Sequence, residues 1–356
     1  LMSFIDTILM GQLGVAELAG GGLGAVVFQF FYVVGIGALT ATANLIAYYR
    51  GQLNTLGVHQ SLLSGVLLVC LLFVLFASVI WFSGEILLLL GQEEQTVIYS
   101  ERYLNVVVWS LLPAFGFVLI RSLVIGMGKP NAILPISLLA TVINYPVSYA
   151  LMMGKFGLPE MGIEGIALGT GIISFCMFLG LVILTYRQKE FDIYTFWKGW
   201  SNFSSDKMKE TLRLAFPISL AHAMEVGMFS AAALIVGLLG VNALAAHQIA
   251  LQSTTLSFMI PLGISQAVSV KVGEFYGRSM IKETVKPLSS GLILSSISAL
   301  LAGSIFIFSP ELLVNFFLHG DNINAGKYHE LLFVATGILL VAALFQLVDA
   351  WQVILM

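Results

Sequence analysis

The sequence of 356 residues predicts an all-α polytopic membrane protein, and three observations lead to that fold class. First, 58% of the residues are hydrophobic and 10% are charged, with a mean hydropathy of +0.97, whereas a soluble domain carries about 25% charged residues. Second, the apolar residues gather in runs that reach the ~20 residues needed to cross a bilayer as a helix. Third, the alternating runs of about ten residues that a membrane barrel needs are absent.

Ten apolar segments follow one another along the chain. Breaks rich in glycine, proline, asparagine and charge separate them, such as "YYRGQLN" and "GMGKPNA". The first and last segments are interpreted as partial, because the chain begins and stops within apolar runs, and we expect truncation at both ends. The segments lie at 1–12, 21–48, 59–82, 103–127, 131–154, 162–186, 211–237, 243–272, 287–309 and 329–356.

The longest polar connection, 187–210, lies about midway along the chain. It predicts an N-terminal six-helix lobe at 1–186, whose first helix is partial, and a C-terminal lobe at 211–356 that holds helices seven to ten. We expect the connection itself to be a cytoplasmic linker.

The basic residues predict the orientation in the membrane. The linker, the loops after the even-numbered segments and the first turn of the seventh segment hold eleven of the 16 Lys and Arg residues, and the positive-inside rule places these loops in the cytoplasm. The net charge of -3, without a basic tail, gives no reason to expect a nucleic-acid partner. We therefore expect a multi-pass protein of the inner membrane, in contact with the lipid bilayer and monomeric.

An internal repeat is visible at an offset of 226 residues. The stretch "GQLGVAELA" from Gly11 matches "GLLGVNALA" from Gly237, and the same offset relates Gly37 to Gly263. A shared offset over much of the chain indicates two homologous halves. Because each half begins with the same orientation, an axis along the membrane normal should relate them.

Three carboxylic acids lie well inside apolar segments: Asp6 in "SFIDTILMGQLG", Glu225 in "AHAMEVGMF" and Asp349 in "LFQLVDAWQ". A charged acid at the centre of a membrane helix costs about 2.5–3.5 kcal/mol. Each should therefore face a wet cavity, pair with another group or be protonated, and acids of this kind mark ion pathways. The alternative is a hydrogen-bonded acid that only stabilises helix packing. The repeat relates Asp6 to Ala232, so the second half has no copy of this acid.

Other polar residues leave two interpretations open. His247 and Gln248 could line a transport cavity, or they could form hydrogen bonds between helices. Asn144 precedes Tyr145-Pro146, where the proline frees a backbone carbonyl, so it could repair that break or face the cavity. The sequence lacks the His-Glu-x-x-His, Gly-x-Ser-x-Gly and Cys-x-x-Cys patterns of hydrolases and redox enzymes. We therefore expect neither an enzyme nor a cofactor.

Several stretches together resemble the multidrug and toxic compound extrusion (MATE) family, in its NorM-like branch. They are "FIDTILMGQLG", "GMGKPNA", "NYPVSYALMMGKFGLPEMGIEGIALGTGI", "LAFPISLAHAMEVGMFSAAALIVGLLGVNALAAHQIAL", "MIPLGISQAVSVKVGEFYGR" and "LFQLVDAWQVIL". The resemblance implies a two-lobe helical bundle, with about ten of twelve transmembrane helices present here. It also implies an antiporter that exports organic, often cationic, compounds in exchange for Na+ or H+.

The resemblance assigns the acid of the first helix to Asp6 and the acids of helices seven and ten to Glu225 and Asp349. It implies Na+ binding at Glu225 and Asp349, with Asp6 serving proton or substrate-cation coupling in the first lobe. Two rival functions remain: a flippase for lipid-linked precursors from the same superfamily, and an ion channel. The flippase would need cations in its cavity, and the channel would need a pore loop or a charge ring.

Overall fold

The computed structural model describes residues 2–13, 15–89, 91–92, 94–129, 133–157, 159–195, 199–237, 241–317 and 325–355. Within these ranges the regular elements are helices, and no strand occurs. The α-helices are α1 (Met2–Leu13), α2 (Val15–Gly51), α3 (Thr55–Trp81), α4 (Ser83–Leu89), α5 (Glu94–Val107), α6 (Leu111–Gly126), α7 (Ile133–Met152), α8 (Gly162–Tyr186), α9 (Ser205–Gly237), α10 (Val241–Gly277), α11 (Val285–Phe308), α12 (Pro310–Phe317) and α13 (Ala325–Leu355).

Eight helical stretches of the described chain are long and apolar enough to cross a membrane. These stretches confirm the predicted all-α polytopic membrane fold. They are Gly20–Gly51, Thr55–Trp81, Glu94–Gly126, Ile133–Met152, Gly162–Tyr186, Ile249–Gly277, Ile281–Phe308 and Leu332–Leu355.

Three predicted segments begin well after the helices they match, and the first is the segment expected from 21, since α2 begins at Val15. The segment expected from 103 begins at Glu94, the start of α5. Helix α5 continues through a 3₁₀ turn at Val108–Ser110 into α6. The segment expected from 211 begins at Ser205, the start of α9. The backbone hydrogen bonds of α5 and α9 begin in polar residues ahead of the apolar run, and an apolar pattern does not include such residues.

The helix bounds confirm the internal repeat. Helix α2 runs from Val15 to Gly51 and α10 from Val241 to Gly277, so both ends differ by the predicted 226 residues. The short helices α4 and α12 follow α3 and α11 at corresponding places. The two halves therefore share one order of elements.

The chain divides into two compact units, Leu1–Ala223 and Met224–Met356. In unit 1, α2 packs against α3, α5 and α6, and α7 packs against α8 around one large apolar core. In unit 2, α13 packs against α10 and α11 around smaller apolar clusters. The lobe bounds predicted from the sequence stay a prediction.

The polar connection between α8 and α9 folds onto unit 1. It contains two 3₁₀ helices, Lys189–Tyr194 and Trp200–Asn202. Phe191 is buried in the core of unit 1, and a ring nitrogen of His59 lies 3.1 Å from the carbonyl oxygen of Thr195. The part of the connection that leads from α8 to Thr195 therefore packs against unit 1.

Candidate functional site

Asp6 of α1 lies inside unit 1, with 1% of its surface exposed. The Thr170 hydroxyl on α8 donates a hydrogen bond of 2.7 Å to its Oδ2 atom. The Tyr103 hydroxyl on α5 lies 3.5 Å from the same oxygen, at the far limit for a hydrogen bond. Three helices thus converge on one carboxyl group.

Asn144 of α7 extends this cluster and is fully buried. Its Nδ2 atom lies 3.4 Å from the Thr170 hydroxyl, so a chain of polar contacts runs from Asn144 through Thr170 to Asp6. We call these residues, together with Tyr103, the Asp6 cluster. The contact with Thr170 joins α7 to α8, and the choice between repair of the Pro146 break and a position in the transport cavity stays a prediction.

Two glycines of α8 allow α7 to come this close. A Cβ atom at Gly165 would lie 2.7 Å from the backbone of Leu151, and one at Gly169 would lie 2.8 Å from the Cα atom of Ser148. Larger residues at these positions would force the two helices apart. The glycine spacing therefore determines how near Asn144 lies to Thr170.

Several oxygens of this region are buried and have no hydrogen-bond partner among the described residues. They include Asp6 Oδ1, Asn144 Oδ1 and Ser148 Oγ. A buried polar atom without a partner is costly, and a buried charge more so. Oxygen-only ligands suit hard cations, and a carboxyl oxygen can also hold a proton. The Asp6 cluster is therefore chemically able to take up a small cation.

A cavity of about 120 Å³ in unit 1 opens beside the Asp6 carboxyl. Polar, aromatic and methionine side chains line it, and α1, α2, α5, α6 and α8 all contribute. The lining residues are Met2, Asp6, Ala25, Phe28, Gln29, Tyr32, Tyr103, Ala114, Phe117, Thr170, Ser174 and Met177. The mixture of one acid with aromatic and methionine side chains suits organic cations, which attract aromatic faces and carboxylates.

Unit 2 holds the other two predicted acids. Glu225 on α9 and Asp349 on α13 are both half-buried, and their carboxyl groups interact electrostatically. One turn before Asp349, the Gln346 side chain donates to the backbone carbonyl of Thr254 on α10, at 3.3 Å. Both acids of the second half therefore lie in the same part of unit 2.

For the remaining predicted residues, His247 and Gln248, the structure shows fewer contacts. His247 on α10 has a buried Nε2 atom without a hydrogen-bond partner in the described chain. The Gln248 side chain lies outside the described residues. Where the structure describes the chain, no group of three or more His, Cys, Asp or Glu side chains could hold a metal ion.

Thr170 and Tyr103 are the members of the Asp6 cluster that sequence reasoning missed. A hydroxyl inside an apolar segment most often bonds to its own helix, as the Ser174 hydroxyl does with the carbonyl of Thr170. Only the tertiary packing distinguishes Thr170 from Ser174. A threonine next to a close-packing glycine, as in Gly169-Thr170, is the one local signal that could have suggested its role.

A bundle of membrane-spanning helices with a buried carboxyl beside a cavity defines a membrane transporter. The chain belongs to the MatE family, whose model matches residues 1–150 and 217–355. The protein is thus a multi-pass transporter embedded in the lipid bilayer, and the predicted family is confirmed.

Curated relatives agree with this family. The chain is 33% identical to a "Probable multidrug resistance protein NorM" of Pseudomonas syringae pv. tomato, over 100% of this chain and 77% of the relative. It is 32% identical to a protein of the same name from Rhizobium meliloti, over 98% of this chain and 74% of the relative. These are names of transporters, which supports the expectation that the chain is not an enzyme.

Solved structures share the fold. The eukaryotic MATE transporter AtDTX14 superposes with a TM-score of 0.85 at 18% identity, over 99% of this chain and 77% of that one. A multidrug resistance MATE family transporter of the MOP superfamily, in an outward-facing conformation, superposes with a TM-score of 0.81 at 20% identity, over 99% and 78% of the two chains.

Proposed function

We propose that this protein is a cation-coupled antiporter that exports organic, often cationic, drugs and toxic compounds by alternating access. The coupling ion is Na+ or H+. The relatives named as multidrug resistance proteins support the substrate class. The protein works as a monomer in the inner membrane, with the linker side facing the cytoplasm, in line with its basic loops.

The observation that carries this proposal is the Asp6 carboxyl. It is 1% exposed, accepts a hydrogen bond from Thr170 and borders a cavity lined by Phe28, Tyr32 and Met177. A packing acid would satisfy both oxygens within the protein, yet Asp6 Oδ1 has no partner among the described residues. Reversible binding of a cation accounts for a buried carboxyl oxygen that has no hydrogen-bond partner among the described residues.

Competition for one carboxyl gives antiport. When Asp6 holds H+ or Na+, its charge is neutralised and it no longer attracts a cationic drug. When the ion leaves, the bare carboxylate favours the drug cation in the same cavity. Because the two occupants exclude each other, the inward movement of the ion drives the outward movement of the drug.

Glu225 and Asp349 form the second coupling site of the proposal. Two carboxyl groups that interact in a low-dielectric environment repel each other when both are ionised, and a cation between them relieves the repulsion. We assign Na+ to this pair, with Asp6 acting in unit 1. No cofactor is part of the proposal.

The test is efflux of a fluorescent organic cation from proteoliposomes under an imposed Na+ or pH gradient. We expect efflux to follow one of the two gradients. The Asp6→Asn variant should lose coupling, while Glu311→Gln, which removes an exposed acid from α12, should keep it. Leak that ignores both gradients would identify a channel, and transport of a lipid-linked precursor in place of the cation would identify a flippase. Either result would overturn the proposal.

A further inference from the structure

Three polar side chains form a closed cluster where α2 ends and α9 begins. The Tyr49 hydroxyl donates to the Glu210 carboxylate, with distances of 2.9 and 2.8 Å to its two oxygens. Lys207 Nζ donates to the Tyr49 hydroxyl and lies 2.9 Å from Glu210 Oε2. The ammonium also lies 4.1 Å from the centre of the Tyr49 ring. We call Tyr49, Lys207 and Glu210 the latch.

The latch is built on a fixed tyrosine. Tyr49 is only 5% exposed, and its ring packs against Gly57 at the start of α3, where a Cβ atom would lie 2.7 Å from the ring. Asn54 holds that turn by accepting a hydrogen bond of 2.8 Å from the Gly57 amide. Lys207 and Glu210, in contrast, are partly exposed. Unit 1 therefore presents a rigid hydroxyl to which the start of α9 attaches.

A second contact joins the same two helices further along. A Cβ atom at Gly37 of α2 would lie 3.0 Å from the Cγ atom of His222 on α9. Gly37 lies twelve residues before Tyr49, and His222 lies twelve residues after Glu210. Because twelve residues span about 18 Å of helix, the two contacts fit a pair of antiparallel helices.

Between these contacts α9 presents a buried stripe. Thr211 and Ala215 are buried, Ile218 is half-buried, and Ala215 and Ile218 belong to the apolar core of unit 1. With His222, these positions recur at the spacing of one helix face. The latch and the close approach of Gly37 to His222 are the two contacts that join this face of α9 to α2, and we call the face, from the latch to His222, the α2–α9 seam.

The seam joins the two sequence repeats. Helix α2 belongs to the first repeat, whereas α9 stands at the start of the second, in the place that α1 holds in the first. Transporters built from repeats open by moving one repeat against the other. We propose that the α2–α9 seam is the linker-side gate of this transporter, closed in this structure, and that Tyr49, Lys207 and Glu210 hold it shut.

The latch has this role only in a carrier that alternates between two sides, so it rests on the proposed function. Its residues are positioning residues, since none of them borders the Asp6 cavity. If the seam is a gate, it must open once in each transport cycle. If it is a permanent part of unit 1, it stays closed while the protein works. A reversible cross-link distinguishes the two.

The cross-linking parent carries Cys70→Ser and Cys176→Ser, which replace both cysteines of the chain. To it we add Tyr49→Cys with Glu210→Cys, and join the two thiols with a short, reductant-cleavable bifunctional reagent. We expect gradient-driven efflux to fall in proportion to the cross-linked fraction and to return after reduction. Full transport by cross-linked protein would overturn the gate.

The matched control pair lies on the same side of the protein. Gln60 on α3 donates a hydrogen bond of 2.9 Å to the carbonyl oxygen of Asn202 in the linker; Gln60 is half-buried and Asn202 is exposed. Cross-linking Gln60→Cys to Asn202→Cys joins α3 to the linker and adds no bond between α2 and α9. Transport should therefore survive, and an equal loss of transport in this pair would contradict a gate located at the seam.

A second measurement needs no cross-link. In the parent, Ala215→Cys places a thiol in the buried stripe, where a water-soluble maleimide reaches it only when the seam opens. Adding Tyr49→Phe removes the hydroxyl that Glu210 and Lys207 share, and we expect labelling to become about tenfold faster, the factor for one lost hydrogen bond to a charged group. Adding Tyr48→Phe should change nothing, because the Tyr48 hydroxyl bonds to Gln52. Equal labelling rates in both variants would contradict the latch.

Failure of the proposed function and failure of the latch give different results. A cysteine-free parent that shows no gradient-driven efflux contradicts the proposed function, whatever the latch does. A parent that transports, with a cross-linked Tyr49→Cys and Glu210→Cys pair that also transports, contradicts the latch alone.

Discussion

The close packing of α7 on α8 should be sensitive to a single methyl group at Gly165. A Cβ atom there would lie 2.7 Å from the backbone carbon and oxygen of Leu151, and ordinary contact starts at 3.4 Å. The helices must therefore separate by about 0.7 Å, since backbone in a close-packed contact cannot turn aside. The Asn144 to Thr170 contact is already 3.4 Å long, so this shift takes it out of hydrogen-bond range.

Overpacking of this kind costs about 1–3 kcal/mol, which should lower the thermal unfolding midpoint of Gly165→Ala by several degrees. The assay is thermal unfolding of the purified protein in detergent, together with efflux from proteoliposomes. The control is Gly180→Ala on the same helix, where a Cβ atom meets nothing within 4 Å. We expect the control to keep its midpoint and its transport. If Gly165→Ala behaves like Gly180→Ala in both assays, the glycine contact does not position Asn144.

The remaining predictions concern single contacts. Thr170→Val should lower efflux about tenfold or more, because it removes a hydrogen bond to a carboxylate, while Thr170→Ser should retain most of it. Glu225→Gln and Asp349→Asn should each abolish the Na+ dependence of efflux, and the assignment is wrong if both keep full Na+-driven export. Burial lowers the pKa of Lys207, but hydrogen bonds with Tyr49 and Glu210 outweigh it and raise the pKa above the usual 10.5. The stability that Lys207 adds is thus present at neutral pH and is lost only as the pH rises through that raised pKa. Unfolding midpoints of the protein and of Lys207→Met should therefore converge only in strongly alkaline buffer.

Much of the scaffold follows from local pattern. Apolar segment length predicts most of the helices, and the 226-residue offset predicts the matching bounds of α2 and α10. The acids were found because a carboxyl in an apolar run stands out in any sequence of this composition. Polar helix ends were not found, since Glu94 and Ser205 continue a helix by backbone bonding that no apolar pattern records.

The resemblance assigned Na+ binding to Glu225 and Asp349 and gave Asp6 a coupling role in the first lobe. In the structure, Asp6 accepts a hydrogen bond from Thr170, which lies 164 positions away in the chain. Such a pairing depends on which faces of α1 and α8 meet, and one sequence does not contain that information. The same holds for the latch, where Tyr49 and Glu210 are 161 positions apart.

The most direct test of coupling reverses the usual gradient. Proteoliposomes with equal Na+ and pH on both sides receive an organic cation on one side, and the movement of Na+ and H+ is recorded. We predict that the drug gradient drives one of the two ions in the opposite direction, and that Asp6→Asn abolishes this ion movement. Drug movement without any movement of Na+ or H+ would contradict the account.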